Sequence, residues 1–493
     1  MLRPWATNIV IRRRTNTSVH QQIVHALIEE IRTGRLPPGC ALPGSRTLAE
    51  QMKVNRKTIV QAYEELIAQG WLTADATRAT FVSSSFPLME EASASAAKGR
   101  ADRVVAQPDF PLHRYVPTLG FTAPMKGTLY FDDGLPDTRL APIGILARAY
   151  RRPLLGAVKI NRLSYGDLRG SLRLRQAVAT MPHLDRGLGC GTDNICLVRG
   201  SQMGIYLAAR VLVKPGDVVA MESLSYPPAR EAFLAAGAEI ACVGVDAQGI
   251  KLDELERLCR KRKVRAVYIT PHHQFPTTVV LKPERRLYLT LLAEQFGLAL
   301  VEDDYDHEFQ FDHRPMLPLA SADKGHRVVY IGSMSKLLSP TLRIGYMHAS
   351  TSVIERAAAQ VMVIDRQGDP GTETAVAELM ETGAIKRHTR HVLKCYAERR
   401  TVLADCLRDA SADDVEFTLS AGGLAIWATF RNGIDVGALA QAGLARKVGI
   451  TPGSAFSMTG QTVQAARMGF GSLAPPELEK AVQRLAQARR DIR

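Results

Sequence analysis

The residues best suited to chemistry in this 493-residue chain fall in four short stretches. Ile331-Gly332-Ser333-Met334-Ser335-Lys336 closes an apolar run on a lysine flanked by hydroxyls, with Arg343 shortly after it. Val301-Glu302-Asp303-Asp304-Tyr305-Asp306 closes another apolar run on a cluster of carboxylates around a tyrosine. Arg199-Gly200-Ser201-Gln202 lies between an apolar run and the helical pattern Met203–Leu212. The fourth stretch is the turn Thr270-Pro271-His272-His273-Gln274-Phe275-Pro276.

Each stretch alone has a plain reading beside a chemical one. Gly-Ser-Gln at a helix start offers free backbone N–H groups and a hydroxyl to a phosphate, and it is also an ordinary helix cap. The acidic run reads either as a divalent-metal site or as a loop. Taken together, the residue types match the needs of pyridoxal 5′-phosphate. Its aldehyde requires a lysine amine, its pyridine nitrogen a carboxylate, its ring oxygen a donor, its phosphate a cup and its ring an aromatic face. Lys336 supplies the amine for a Schiff base, Asp303 the carboxylate, Tyr305 the hydroxyl and Tyr226 the stacking platform. Ser201, Gln202, Ser333 and Arg343 supply the cup. No metal is expected, because neither a histidine pattern nor the backbone pattern of a Ca²⁺ loop accompanies the acidic run.

These stretches must be held by a framework, and its elements are legible. After Thr128, β-branched runs at Asn194–Arg199, Asp217–Glu222, Ala238–Val243, Ala266–Thr270, Leu298–Asp303 and Arg327–Ile331 alternate with amphipathic segments. That alternation predicts βαβ units and a largely parallel sheet flanked by helices. Length alone allows about three domains. Composition separates them into residues 1–83, which are dense and amphipathic, a Ser/Ala/Pro-rich linker over 84–127, and the α/β domain over 128–493. No apolar run reaches the span of a membrane helix, and the N-terminus lacks a signal peptide's apolar segment. Seven scattered cysteines without a CxxC pair point to a reducing cytoplasm rather than a disulfide framework. Cys259 and Cys406 read as small core residues, and His388 and His391 as a solvated helix face.

The net charge is +14, and the first 83 residues hold eleven Lys/Arg against six Asp/Glu. Val19–Thr33 has apolar residues at helical spacing before Gly34, and Thr47 with Glu50 can box the start of a second helix. A third helix, RKTIVQAYEELIA, would bury Ile59, Tyr63, Leu66 and Ile67, and Trp71–Val82 reads as a hairpin. This order predicts a winged helix-turn-helix that places Arg56, Lys57, Thr58 and Gln61 in the major groove of double-stranded DNA, with Arg46 on a flanking phosphate and Arg78 at the wing tip. The same pattern also fits a small basic three-helix domain with no ligand.

The string GRLPPGCALPGSRTLAEQMKVNRKTIVQAYEELIAQGWL resembles the DNA-binding domain of the GntR superfamily. Its wing departs from that pattern, reading TRATFV where the family carries GSGTFV. From Tyr165 to Arg467 the motifs YGDLRG, GSQMG, TPHHQFPT, VEDDYDHEF and SMSKLLSPTLRIGY resemble fold-type I aminotransferases. Joined through a linker, the whole chain resembles a MocR-type transcriptional regulator. The resemblance implies an aminotransferase-like pyridoxal-phosphate domain with a small C-terminal α+β subdomain, and a homodimer, head-to-tail pairing being one arrangement. It implies that Arg467 faces an effector carboxylate and that Tyr165 reaches the partner's phosphate. The effector is then an amino compound or pyridoxal 5′-phosphate itself. An active aminotransferase carrying an accessory DNA-binding domain is the alternative. Thr278 stands where the family has glycine, Met334 before the Ser-Lys pair, and Ala425 where histidine is common.

Overall fold

The computed structural model describes residues 9, 11–12, 17–75, 79–84, 125–159, 164–180, 187–188, 191–311, 316–323, 326–411 and 414–492. The linker therefore falls almost entirely outside the described residues, as does Arg78. Two compact units, Met1–Tyr115 and Val116–Arg493, divide the chain.

The first unit is built from α1 (Val19–Arg32), α2 (Ser45–Met52), α3 (Arg56–Ala68) and the antiparallel pair β1 (Leu72–Ala74) and β2 (Thr80–Val82). Ser18 and Gln21 form the capping box of α1, and Gly34 follows the helix with φ +70°. Ile23, Leu27, Leu48, Ile59 and Leu66 are fully buried and form one core. Two local expectations are corrected. Helix α2 starts at Ser45 after Gly44, without a side-chain cap, so Thr47 lies inside the helix. In α3 the inner stripe is Ile59, Ala62, Tyr63 and Leu66, while Ile67, one residue or about 100° further around the axis, is exposed.

The second unit runs β3 (Leu129–Phe131), α4 (Ile143–Lys159), α5 (Leu172–Ala179), β4 (Ile195–Val198), α6 (Gly200–Leu212), β5 (Val218–Glu222), α7 (Pro227–Ala235) and β6 (Glu239–Val243). A short hairpin, β7 (Val245–Asp246) and β8 (Gly249–Ile250), precedes α8 (Leu252–Lys261), β9 (Val264–Ile269), α9 (Pro283–Phe296), β10 (Ala299–Asp304), β11 (Val328–Ser333) and β12 (Gly345–His348). Seven of these strands form one sheet in the order β4-β12-β11-β10-β9-β5-β6. Only β12 runs antiparallel to its neighbours. Alternate residues of each strand enter different cores, as a sheet covered on both faces requires. Leu300 packs with Tyr330 and Val267 on one face, while Val301 packs with Ile331 and Ala266 on the other. Helices α10 (Thr351–Ile364), α11 (Pro370–Glu381) and α12 (Ala384–Ser411) then lead to a smaller α+β layer. There β13 (Val415–Phe417), β14 (Ala425–Phe430), β15 (Val448–Pro452) and β16 (Ala465–Gly469) join β3 in the order β13-β14-β16-β15-β3, with α13 (Val436–Ala445) and α14 (Pro475–Asp491) beside them. His388 on α12 is half-buried and bonded to the Leu337 carbonyl at 3.0 Å, which corrects its reading as a solvated residue. Among the described residues no helix is long and apolar enough to cross a membrane.

Leu66 is fully buried in the small core of the first unit. Leu66→Ala is expected to destabilise that unit by about 2–5 kcal/mol through the cavity it leaves. Calorimetry should show its transition at lower temperature with the larger unit's transition unmoved.

Candidate functional site

The parallel strands deliver the chemical residues to one edge of the sheet. Lys336 follows β11, Asp303 lies near the end of β10, Gly200 and Ser201 follow β4, Tyr226 follows β5, and the Thr270–Pro276 turn follows β9. Crevices outside the carboxyl ends of parallel strands are where α/β sheets bind ligands.

Lys336 Nζ lies 4.4 Å from the centroid of the Tyr305 ring. Burial pulls its pKa below the usual lysine value, although Asp306 opposes the shift. Asp303 Oδ2 accepts from the Tyr268 hydroxyl at 2.7 Å, while its buried Oδ1 has no hydrogen-bond partner. Burial pushes the Asp303 carboxyl up to about 7, against the Tyr268 hydrogen bond and the nearby lysine. The Tyr305 hydroxyl donates to the His273 carbonyl at 2.8 Å, and burial raises its phenol well above the ordinary value. Tyr226 packs edge-on to Phe275, with ring centroids 5.3 Å apart.

The cup is a close approach between two loops. Gly200 has φ +73°, and a Cβ there would stand 2.8 Å from the Arg343 guanidinium. Arg343 itself has φ +50° and donates from Nη2 to the Arg199 carbonyl at 3.0 Å. Ser201 and Gln202 occupy the first turn of α6, where the helix dipole favours an anion. Gln202 Nε2 donates to the Pro228 carbonyl at 3.0 Å, leaving its buried Oε1 without a partner. Ser333 Oγ accepts from the Ser335 N–H at 3.2 Å, and Ser335 Oγ is buried and unpartnered. Nearby, Thr278 adopts φ +63°, the left-handed region that a glycine would enter without strain.

Arg467 on β16 is 1% exposed, donates from Nε to the Asp133 carbonyl at 2.8 Å and from Nη1 to the Pro276 carbonyl at 2.7 Å, and sits 4.6 Å from the Phe275 ring centroid. Besides these two neutral carbonyls it interacts with the Tyr305 hydroxyl, and no carboxylate pairs with it among the described residues. Tyr165 stands apart from this group: it is 70% exposed, with the Arg366 guanidinium 4.8 Å above its ring.

Sequence reasoning missed one close partner of the lysine. His273 Nδ1 and Asp306 Oδ1 form a buried pair at 2.7 Å, and Gln310 Nε2 lies 3.1 Å from His273 Nε2. Burial alone would raise the Asp306 carboxyl, but His273, Lys336 and Arg467 hold it below the usual carboxylate range. Both residues lay inside quoted motifs, but only tertiary packing joins positions this far apart. A second buried group, His272, Asp304 and His307, corrects the expectation that no histidine accompanies the acidic run.

In the first unit, Arg46, Arg56, Lys57 and Gln61 are exposed around the N-terminal ends of α2 and α3, and Thr58 is half-buried. Asn55 caps α3 by accepting from the Lys57 N–H at 2.8 Å, and the first turn carries no acid. Arg56 Nε lies 3.4 Å from Ser45 Oγ, and none of these three cations is in an ion pair among the described residues.

Residues 19–82 match the family of bacterial regulatory proteins of the GntR type. The chain is a DNA-binding transcriptional regulator that joins a GntR-type winged helix-turn-helix to a fold-type I aminotransferase-like domain. It is similar to the probable rhizopine catabolism regulatory protein MocR of Rhizobium meliloti, 27% identical over 97% of this chain and 95% of that one. It is also similar to the HTH-type transcriptional regulator TauR of Rhodobacter capsulatus, 29% identical over 96% and 97% respectively. Among solved structures, a Pyrococcus horikoshii kynurenine aminotransferase in complex with PMP aligns with TM-score 0.69 and 27% identity, covering 74% of this chain and 92% of that one.

The Gly200–Arg343 approach generates a direct expectation. Gly200→Ala combines left-handed backbone with a 2.8 Å clash, and should cost about 1–3 kcal/mol of stability. By moving the guanidinium it should also weaken binding of a phosphate monoester, measured by titration beside the melting curve.

Proposed function

We propose that the larger domain holds pyridoxal 5′-phosphate and uses it to sense an amino compound, or the cofactor's own supply, on behalf of the DNA-binding unit. The observation that carries this reading is the grouping of a half-buried lysine against the Tyr305 ring, an unpartnered oxygen of Asp303 and the Gly200–Arg343 cradle. The orphaned oxygen and the cradle fit the two charged ends of that cofactor. In this reading Lys336 holds the aldehyde, Asp303 the pyridine nitrogen, and Tyr305 the ring oxygen. Tyr226 backs the ring, and Ser201, Gln202, Ser333 and Arg343 take the phosphate. When bound, the cofactor supplies an aldehyde that exchanges one primary amine for another.

The chain's own residues do the rest. Depression of the Lys336 pKa by burial makes an unprotonated amine more accessible near neutral pH. Arg467, buried and without a carboxylate partner among the described residues, offers its fork to the carboxylate of an amino-acid effector. Tyr165, exposed in its own chain, supplies the partner subunit's phosphate site in a homodimer. Exposed Ile143, Leu155, Val363 and Ile364 on α4 and α10 provide apolar surface for that association. Arg46, Arg56, Lys57, Thr58 and Gln61 meet promoter DNA, which places the protein in the cytoplasm. Regulation requires the effector to bind two conformations with different affinity, since equal affinity shifts nothing however tight.

Three outcomes check this reading. Wild-type protein reconstituted with pyridoxal 5′-phosphate should show a visible absorption band that Lys336→Ala lacks; a band retained in the variant refutes the lysine assignment. Replacing Arg56 and Lys57 together by alanine should lower the salt dependence of operator binding by about 2 in log–log slope, with the absorption spectrum unaltered. Val363→Asp with Ile364→Asp should shift the particle toward the monomer in light scattering.

A further inference from the structure

Successive residues of a strand point to opposite faces, so Asp304 leaves β10 on the side away from Asp303. There it meets His272 from the turn after β9 and His307 from just beyond its own strand. Asp304 Oδ2 lies 3.6 Å from His272 Nδ1 and 3.0 Å from His307 Nδ1. The three donor atoms fall within 4.8 Å of one another, and the residues are 1%, 3% and 2% exposed for Asp304, His272 and His307. The two imidazoles stand edge-to-face at 4.7 Å. Both Nδ1 atoms are buried without a hydrogen bond of their own.

The surroundings fix the roles of these atoms. His272 Nε2 bonds the Met316 carbonyl, which can only accept, so Nε2 carries the proton. In the neutral ring Nδ1 then presents its lone pair to a carboxylate oxygen. A lone pair facing an anion is repulsive unless a cation lies between them. The Tyr330 hydroxyl donates to Asp304 Oδ2 at 2.6 Å and holds the carboxylate in place.

We propose that His272, Asp304 and His307 bind a divalent transition-metal ion, zinc by ligand class. Two imidazole nitrogens and one carboxylate oxygen form a set that zinc accepts, leaving a fourth position for water. Two ligands about 2.1 Å from a tetrahedral ion stand about 3.4 Å apart, and the observed 3.6 and 3.0 Å bracket that span. The Met316 carbonyl behind His272 and the Tyr330 hydroxyl on Asp304 are the outer partners that such ligands use. The ion ties the Thr270–Pro276 turn to the end of β10.

The experiment loads the full-length protein with zinc or Co²⁺, dialyses it against metal-free buffer and measures metal by mass spectrometry and the Co²⁺ ligand-field spectrum. About one ion per chain is expected, with ligand-field bands of low-symmetry four-coordinate cobalt. Both should disappear in the His272→Ser, His307→Ser double variant. Tyr330→Phe should weaken affinity by about 10–100-fold, and a chelator should lower the melting temperature of the wild type but not of the double variant. Cofactor-free Lys336→Ala should still bind the ion, which separates this site from metal held by the cofactor. A wild-type protein that retains no metal and shows no cobalt bands overturns the proposal, leaving a hydrogen-bonded His–Asp–His network. Undiminished binding in a folded double variant overturns it equally. The wild-type titration decides even where that variant does not fold.

Discussion

Parallel register between β10 and its neighbours is the constraint on which the site depends. Asp303 pairs with Ile331 of β11 and Glu302 with Ile269 of β9, so three strands end at one level. The Asp303 carboxylate, the Lys336 segment and the Thr270–Pro276 turn therefore emerge side by side. A slip of one residue in β10 would exchange Asp303 for a neighbour whose side chain belongs to the opposite face. Fully apolar packing on both faces opposes such a slip: Leu300 and Val301 sit in different cores, each with no exposed surface.

The same edge concentrates charges that cost stability. Asp303, Asp306, His273, Arg467 and Glu222 are buried and Lys336 half-buried, and burial pushes Glu222 up to about 8. Taking an ion out of water costs several kcal/mol even where a partner offsets it. Asp306 and His273 offset one another at 2.7 Å, whereas Arg467 and the second oxygen of Asp303 have no carboxylate or donor of their own among the described residues. Groups buried without a full set of partners are what a fold retains where a ligand is to complete them.

Much of this was legible in the sequence because it rests on local pattern. Six strand runs, the three helices of the first unit and the order of the motifs follow from β-branched runs, helical spacing and turn residues. What escaped was set by tertiary contact. Strand β12 is only four residues, begins with glycine and runs against its neighbours, so no periodicity announces it. Ile67 sits one position off the buried stripe and the cap of α2 falls three residues before the expected one, both within the reach of packing to override propensity. His273 lies far from Asp306 in the chain, as His272 does from Asp304, and adjacency of strand ends cannot be read from spacing. Thr278 was legible as a departure from glycine, and its left-handed backbone shows what the departure costs.

Adjacent positions on β10 carry opposite duties, and that follows from the pleat alone. Asp303 faces the side on which Lys336 and Tyr305 gather, while Asp304 faces the two histidines. A strand end is the least restrained part of a sheet, because pairing and packing both stop there. Cross-linking Asp304 to His272 on the far side ties β10 to the turn after β9. That turn also carries His273, whose carbonyl accepts from Tyr305, and Pro276, whose carbonyl accepts from Arg467. A restraint placed behind the sheet therefore acts through backbone on the residues in front of it. Side chains on one face hold the geometry of the other, and the groups around Lys336 can be held in place without surrendering any of their own polar atoms to structural work.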